Sequence, residues 1–303
     1  MAQRLIRALT GPAHRYLITV DDTNMTTITR FAPSPTGLLH LGHAHSALFG
    51  WTSARNRDGL FLLRIEDIDP GRCRREFERQ LMEDLSWLGL TWPTPVRRQS
   101  DHLDDYRAAL DRLAGLGVTY PCFCTRKEIE EEIARAGHAP HGPDGALYPG
   151  TCRYLSDAGR SARLAAGQAF AIRLDVARAR RLAGPLSWRD RMAGEVDATP
   201  EILGDVVLAR KDVPTSYHLS VTVDDALQGV TLVTRGSDLF HATHLHRLLQ
   251  ALLGLPAPAY HHHGLLTNDR GERLAKRDKA VSLRALREAG KTPAEVRAMA
   301  GFS

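Results

Sequence analysis

The segment from residue 30 to residue 66 most constrains the fold of this chain. It starts with strand-compatible residues, passes through a turn rich in proline and glycine, and continues into residues 41–57, whose composition suits a helix. Residues 60–65 then form a short, mostly apolar run that ends at Glu66, as expected for a buried strand. A strand, a helix and a second buried strand in this order predict an α/β domain.

Strand and helix patterns alternate along the rest of the chain. Further helices are predicted around Leu81 and Leu110, from the capping box of Thr125 and Glu128, over residues 239–253, and from Thr292 and Pro293. Short strands are predicted at residues 169–174, 206–208, 219–223 and 230–233, with a turn at Asp224 and Asp225 and a loop over residues 138–150. This alternation favours a mainly parallel sheet, with ligand sites beyond the carboxyl ends of its strands.

Composition limits the class of protein more than its function. The 303 residues are 43% apolar, and no stretch approaches the roughly 18 apolar residues of a membrane helix. We therefore expect a soluble, cytoplasmic protein with no membrane partner. The net charge of +5 rests on 35 arginines and five lysines, which suits a polyanionic partner but also follows from genome composition. Four cysteines are too few for a disulfide framework.

Two short motifs suit phosphate chemistry. His40, Gly42 and His43 open the helix after the first turn, where free backbone N–H groups and imidazoles can bind phosphate oxygens. Residues 268–277, NDRGERLAKR, form a basic loop in which Lys276 can neutralise charge at a reacting phosphorus. Each motif alone has an ordinary explanation, since histidines near a turn are often structural and a run of charge is often only solvated.

Three cysteines fall within one short region. Cys122 and Cys124 are separated by one residue, and Cys152 follows after a loop. Three thiolates in this spacing suit a tetrahedral structural zinc site. From the residues alone, the fourth ligand is a tyrosine phenolate, His138 or His141, and buried free cysteines are the alternative.

The motifs, taken in order, resemble the paired signatures of class I aminoacyl-tRNA synthetases, with HLGH in place of HIGH and RLAKR in place of KMSKS. RFAPSPTG, LLRIEDID, TSYHLSVTVDD and VTRGSDL are similar to the glutamate-specific members, and the resemblance covers about residues 28–285. It implies a Rossmann-like catalytic domain with a mainly parallel sheet, an inserted zinc-binding subdomain and a short helical C-terminal segment. It also implies an enzyme that activates glutamate with ATP and Mg²⁺.

The resemblance assigns residues to each ligand, position by position. It implies that Arg30 and Arg235 bind the carboxylates of glutamate and that Glu66 faces its ammonium group. The other glutamate-binding positions are Phe31, Ala32, Pro33, Ser34 and Tyr217. ATP is expected to contact His40, Gly42, His43 and Lys276, of which His40, His43 and Lys276 are the catalytic residues. One structural zinc ion per chain is implied on Cys122, Cys124, Tyr148 and Cys152. Ala275 departs from the usual serine of the second motif, so that a serine hydroxyl contact is lost.

About 26 residues follow Arg277, too few for an anticodon-binding domain. In this respect the chain resembles a paralogous subgroup that activates glutamate without tRNA and attaches it to queuosine in the anticodon of tRNA(Asp). We therefore expect ATP, L-glutamate and queuosine-containing tRNA(Asp) as partners of a monomer. Three alternatives stay open: a truncated enzyme that charges the 3′ end of tRNA(Glu), a nucleotidyltransferase on the same fold, and a non-catalytic tRNA-binding descendant.

The same patterns divide the chain into five segments. We expect a disordered extension at 1–27, the first half of the catalytic domain at 28–117, an inserted zinc subdomain at 118–200, the second half at 201–255, and the basic loop with terminal helices at 256–303.

Overall fold

The fold is taken from a computed structural model that describes residues 26–135, 141–143, 145–267 and 281–302. Within these ranges the helices are α1 (Leu41–Arg55), α2 (Arg75–Trp87), α3 (Leu103–Gly115), α4 (Arg126–Arg135), α5 (Asp157–Ala165), α6 (Val176–Ala183), α7 (Tyr217–Leu227), α8 (Ala242–Leu253), α9 (Leu283–Glu288) and α10 (Pro293–Met299). The strands are β1 (Ile28–Phe31), β2 (Leu60–Ile65), β3 (Arg97–Arg98), β4 (Thr119–Cys122), β5 (His141–Gly142), β6 (Gly145–Ala146), β7 (Ala171–Leu174), β8 (Ser187–Asp190), β9 (Gly194–Asp197), β10 (Val207–Ala209), β11 (Leu232–Gly236) and β12 (Ala259–His263).

Parallel strands form the centre of the molecule, as predicted. β1, β2 and β3 are hydrogen-bonded in that order, and β11, β12 and β8 form a second parallel group that β9 extends in the antiparallel sense. The two groups lie side by side, because the Thr231 N–H donates to the Ile28 carbonyl at 3.0 Å, just ahead of β11. The carboxyl ends of β1, β2 and β11 therefore open onto one edge of the fold.

The predicted strand–helix–strand unit at the start of the domain is confirmed. The buried face of α1, with Ala44 and Leu48, packs on Phe61 and Leu63 of β2. A Cβ added at Gly50 would lie 2.9 Å from the Thr234 hydroxyl, so this helix approaches β11 as closely as it does because glycine stands there. The packing fixes the amino-terminal end of α1 beside the carboxyl ends of the strands.

A separate antiparallel sheet consists of β4, β7 and β10, with β7 in the middle. The 118–200 interval thus supplies β4 and β7 to this sheet, whereas β8 and β9 from the same interval join the parallel strands. The proposed segment boundaries at 118, 200 and 255 stay a proposal. At the proposed boundary between residues 27 and 28, Thr27 is buried and its carbonyl accepts a hydrogen bond from Leu60 N–H at 2.8 Å. The Thr26 carbonyl accepts from the Thr231 hydroxyl at 3.2 Å, so the described fold includes both threonines.

Three local predictions were wrong. Residues 219–223 form part of helix α7 and not a strand, and Asp224 and Asp225 lie inside the same helix and not in a turn. All of these residues are buried, so the helix has no polar face and its sequence shows no 3.6-residue periodicity. The loop predicted at 138–150 contains the β5–β6 pair.

The predicted capping box of Thr125 and Glu128 is confirmed, and the predicted helix start at Thr292 and Pro293 also has a capping box. The Glu128 carboxylate accepts from Thr125 N–H at 2.6 Å ahead of α4, and Glu295 accepts from Thr292 N–H at 2.8 Å ahead of α10. The terminal helices α9 and α10 return to the first half of the domain, where Leu283 and Val296 join the cluster around α1. None of the described helices is long and apolar enough to cross a bilayer.

Candidate active site

A cavity of about 600 Å³ lies at the carboxyl ends of β1, β2 and β11, next to the amino-terminal end of α1. This volume suits a small ligand together with part of a nucleotide. Its walls contain all the described residues predicted to bind glutamate or ATP: Arg30, Phe31, Ala32, Pro33, Ser34, His40, Gly42, His43, Glu66, Tyr217 and Arg235. Lys276 lies outside the described residues. The site thus lies where a parallel sheet is expected to bind its ligand.

Two histidines form the amino-terminal end of α1. The Gly42 N–H donates to His40 Nδ1 at 3.1 Å, the His40 N–H donates to His43 Nδ1 at 3.2 Å, and the two rings stack at 3.8 Å. Because both Nδ1 atoms accept, each ring carries its proton on Nε2. Burial, with a smaller effect of His40, lowers the pKa of His43 to about 4. Near pH 7 the pair is therefore neutral and offers N–H donors at a helix terminus, an arrangement that suits a polyphosphate.

On the β1–β2 side of the cavity, a buried network of charged side chains holds Arg30 and Glu66. The Arg30 guanidinium donates to Asp225 at 3.0 Å and to the Thr234 carbonyl at 3.1 Å. Arg64, fully buried, donates to the same Asp225 oxygen at 2.8 Å and to Glu66 at 3.1 Å. One buried arginine thus fixes Glu66 directly and fixes Arg30 through Asp225.

The two carboxyl groups of this network differ in the direction in which their pKa values are shifted. Although burial acts in the opposite direction, Arg30 and Arg64 keep the pKa of Asp225 below its ordinary value. Burial raises the pKa of Glu66, and the two arginines only oppose that shift. Asp225 therefore serves as the permanent counter-ion inside the network, and Glu66 is the carboxyl group that gains most from a cation arriving in the cavity.

Sequence reasoning missed Arg64 and Asp225 as parts of the site. Their signal was the presence of charged residues in apolar runs, at LLRI and at VTVDD. A charge in such a run is buried only when it is paired, so each required a partner elsewhere. The sequence did not show that they are partners of each other, 161 positions apart.

Arg235, on β11, is surrounded by hydrogen-bond acceptors. Its Nε donates to His262 Nε2 at 3.1 Å, and its Nη2 donates to the Thr243 hydroxyl at 2.6 Å. Its Nη1 lies 3.2 Å from His246 Nδ1 and 3.4 Å from the Tyr217 hydroxyl. Arg235 is 5% exposed, so its position is set almost entirely by these neighbours.

The predicted zinc ligands come together at the start of the antiparallel sheet. The sulfurs of Cys122, Cys124 and Cys152 all lie within 4.8 Å of one another, and Cys124 and Cys152 are 3.4 Å apart. The Tyr148 hydroxyl lies 3.4 Å from Cys122 Sγ and 3.6 Å from Cys124 Sγ. Four ligands around Zn²⁺ with bonds of about 2.3 Å stand about 3.8 Å apart, so the cluster fits zinc. The side chains of His138 and His141 lie outside the described residues.

Backbone groups prepare this cluster for a cation. Although burial acts against ionisation, a hydrogen bond from Phe123 N–H at 3.3 Å and contacts with Tyr148 and Cys124 lower the pKa of Cys152. Burial raises the pKa of Cys124 to about 12. Such a thiol stays protonated near pH 7 unless a bound cation stabilises its thiolate.

The structure is thus an α/β fold whose cavity, at the carboxyl ends of parallel strands, carries both acidic and basic side chains. Residues 26–300 match the family of class I tRNA synthetases (E and Q), catalytic domain. The chain therefore belongs to the class I tRNA synthetases of the glutamate and glutamine group, which are ATP-dependent ligases with a Rossmann-like catalytic fold.

Individual relatives agree with this family. The glutamyl-Q tRNA(Asp) synthetase of Rhodobacter capsulatus is 52% identical over 280 residues, which cover 91% of this chain and 100% of that protein. The glutamate–tRNA ligase of Aquifex aeolicus is 41% identical over 88% of this chain and 54% of its own length. A crystal structure of a glutamate tRNA ligase from Elizabethkingia meningosepticum, in complex with its amino acid, superposes with a TM-score of 0.69 at 27% identity and covers 88% of this chain. The chain spans about half the length of that structure, 54%.

Proposed function

We propose that this enzyme activates L-glutamate with ATP in the absence of tRNA and transfers the glutamyl group to queuosine in the anticodon of tRNA(Asp). The observation that carries the proposal is that Arg30, Glu66, Tyr217 and Arg235 line the same cavity as the neutral histidine pair of α1. A dicarboxylic amino acid and a nucleoside triphosphate can therefore bind next to each other in that cavity.

The charges of the pocket match those of glutamate. Arg235 offers a guanidinium to one carboxylate, and Arg30, already paired with Asp225, completes the basic side. Glu66 supplies the anion for the ammonium group, and the ammonium in turn stabilises the ionised form of Glu66, whose pKa burial raises. Tyr217 adds a neutral hydrogen bond beside Arg235. This set of donors and acceptors disfavours aspartate by length and glutamine by charge.

The proposed activation step joins these two ligands. A carboxylate oxygen of glutamate attacks the α-phosphorus of magnesium-bound ATP, a new P–O bond forms, and the bond to pyrophosphate breaks. His40 and His43 donate Nε2–H to the phosphate oxygens while negative charge spreads over them. In the transfer step, a hydroxyl of the RNA attacks the acyl carbon and AMP leaves. Alignment of the reactants, with no covalent enzyme intermediate, accounts for the catalysis.

The choice of acceptor is supported by the relatives. Identity reaches 52% with the protein named glutamyl-Q tRNA(Asp) synthetase and 41% with the one named glutamate–tRNA ligase. The direct test is charging of tRNA(Asp) with labelled glutamate, using tRNA with and without queuosine. We expect product only with queuosine, and we expect prior periodate oxidation of its cyclopentenediol to prevent the reaction. Charging of tRNA(Glu) at its 3′ end would instead support the truncated tRNA(Glu)-charging enzyme. ATP turnover that does not depend on glutamate would support the nucleotidyltransferase.

Lys276 is expected to act in the activation step. The described chain on both sides of residues 268–280 lies at the cavity, since Leu266 lines it and Ser282 bridges to His40. We predict that Lys276→Ala lowers the rate of glutamate-dependent ATP–pyrophosphate exchange by about a hundredfold or more, because it removes a positive charge at the reacting phosphates. Lys291→Ala, at an exposed lysine of the described segment that follows this loop in sequence, is the control and should leave exchange unchanged. Unaltered exchange in Lys276→Ala would remove this lysine from the mechanism.

We propose further that the cysteine cluster holds one structural zinc ion, with Tyr148 as the fourth ligand. Cys124→Ser is predicted to reduce bound zinc from about one ion per chain to a small fraction of that, since it removes one of three thiolate ligands. Metal analysis by mass spectrometry after gel filtration measures this directly. The isolated Cys73→Ser is the matched control and should keep its zinc. Full zinc content in Cys124→Ser would show that the ion binds at another site.

A further inference from the structure

The arginine on β11 differs from its counterpart on β1 in the groups that hold it. Arg30 is paired with a carboxylate, Asp225, whereas the hydrogen bonds that the structure gives Arg235 all go to neutral groups. These groups are His262, Thr243, His246 and Tyr217. They orient the guanidinium without neutralising it, so its charge stays available to a ligand in the cavity.

The geometry determines which nitrogen of each histidine carries the proton. Arginine only donates, so the contact at 3.1 Å makes His262 Nε2 an acceptor and places the proton of that ring on Nδ1. The Nδ1–H then donates to Asp190 Oδ2 at 2.7 Å. Both ring nitrogens of His262 are therefore committed, one to a carboxylate and the other to Arg235.

Asp190 is itself fixed by the turn that follows β8. Its Oδ1 accepts from the backbone N–H groups of Met192 at 2.8 Å and Ala193 at 3.0 Å, and its Oδ2 also accepts from His262 N–H at 3.2 Å. Asp190 is 2% exposed. A rigid anion thus points at one nitrogen of the imidazole and selects its tautomer.

We propose that Asp190 and His262 form a positioning pair that holds Arg235 in place to bind a carboxylate of glutamate. The inference rests on the proposed function, and it assigns a role to two residues that are not among those lining the cavity. Asp190 fixes the tautomer, His262 transmits that orientation to Nε of Arg235, and the guanidinium plane is turned toward the cavity. A carboxylate in the place of His262 would hold the arginine as firmly but would compete with the substrate for its charge.

The surroundings of His262 keep the ring neutral. The ionisable groups that act on it include Arg235 on β11, Asp190 on β8, His246 on α8, and Tyr260 and His263 on its own strand, where the Tyr260 ring stacks on it. Burial and then Arg235 lower its pKa to about 4, and Asp190 opposes them. Near pH 7 the ring therefore accepts from Arg235, whereas a protonated ring would present a second donor and a second positive charge.

The test replaces His262 with two amide side chains, each of which keeps a polar group at the position of one ring nitrogen. The glutamine of His262→Gln places its oxygen near Nε2 and can still accept from Arg235, whereas the asparagine of His262→Asn reaches only the Nδ1 position. We expect His262→Asn to raise the KM for glutamate in ATP–pyrophosphate exchange by about 10- to 100-fold, the effect of losing one hydrogen bond to a charged group. The KM for ATP should change by less than about threefold, and His262→Gln should restore the KM for glutamate to within about fivefold of the wild type.

Asp190→Asn provides an independent test of the tautomer. Its single oxygen stays with the N–H groups of Met192 and Ala193, so the amide N–H₂ takes the place of Oδ2. It loses the hydrogen bond from His262 N–H and favours the ring tautomer that donates toward Arg235. We expect the same selective rise in the KM for glutamate, and this variant carries the test if His262→Asn does not fold. Equal changes in both KM values with a lowered Tm, or no change in any variant, would overturn the positioning role. A wild-type chain without glutamate-dependent exchange would instead overturn the proposed function and the inference with it.

Discussion

Replacement of Arg235 by glutamine is expected to lower kcat/KM for glutamate in ATP–pyrophosphate exchange by about a thousandfold. Glutamine can still reach some of the neutral acceptors around this position, but it carries no charge to pair with a carboxylate. Loss of one partner from a buried, hydrogen-bonded charge pair costs about 2–5 kcal/mol, and 4 kcal/mol corresponds to about a thousandfold. The KM for ATP should stay within about threefold, because the change lies on the amino-acid side of the cavity.

Two controls define this result. Arg284→Gln, at an exposed arginine on α9, should leave kcat/KM unchanged, because its ion pair with Glu288 lies at the surface. Arg235→Lys should recover only part of the loss, since an ammonium group carries the charge without the planar fork. Exchange in Arg235→Gln at near wild-type efficiency for glutamate would mean that this arginine does not bind the substrate carboxylate.

Replacement of Arg64 by methionine is expected to lower the free energy of unfolding by about 3–5 kcal/mol. Arg64 is fully buried and forms ion pairs with Asp225 at 2.8 Å, Glu66 at 3.1 Å and Asp224 at 3.6 Å. Methionine fills similar space but leaves these carboxylates with one cation fewer in a dry environment, and breaking a buried ion pair carries a cost of about this size. Urea unfolding of the two proteins measures the difference, provided that the slopes agree.

The pH dependence identifies the cause. A protonated carboxyl group needs no cation, so the deficit of Arg64→Met should shrink as the pH falls from 7 toward 4.5, beginning with Glu66, whose pKa burial already raises. The exposed control Arg284→Met should cost no more than about 0.5 kcal/mol at any pH in this range. A deficit in Arg64→Met that does not change with pH would point to packing and not to charge.

The two predictions separate the two roles of arginine in this pocket. Arg235 is held by neutral groups and keeps its charge for a ligand, whereas the charge of Arg64 is consumed inside the protein. We therefore expect Arg64 to act on stability first, and on glutamate only through the positions of Glu66 and Arg30. We expect Arg235 to act on glutamate directly.

Patterns that repeat along the chain were predicted correctly from the sequence. The unit from β1 to β2, the capping box at Thr125 and the helix start at Thr292 each show a pattern of residue types within a short stretch of sequence. Such a pattern can be recognised without knowing how distant parts of the chain pack. Helix α7 was missed because both of its faces are buried, and a helix without a polar face has no period to detect.

The resemblance of the sequence to the class I synthetases was enough to propose which residues face the ligands. It gave the helix terminus at His40 and the pocket positions Arg30, Glu66 and Arg235, and the structure places all four on the wall of one cavity. Only the tertiary structure decided what holds them: Asp225 on Arg30, and Asp190 through His262 on Arg235. These partners lie 195 and 72 positions apart in the pairs Arg30–Asp225 and Asp190–His262, and such contacts exist only after the strands and helices have packed. A charged residue in an apolar run predicts from the sequence that it is paired when buried. The identity of its partner depends on how distant helices and strands pack.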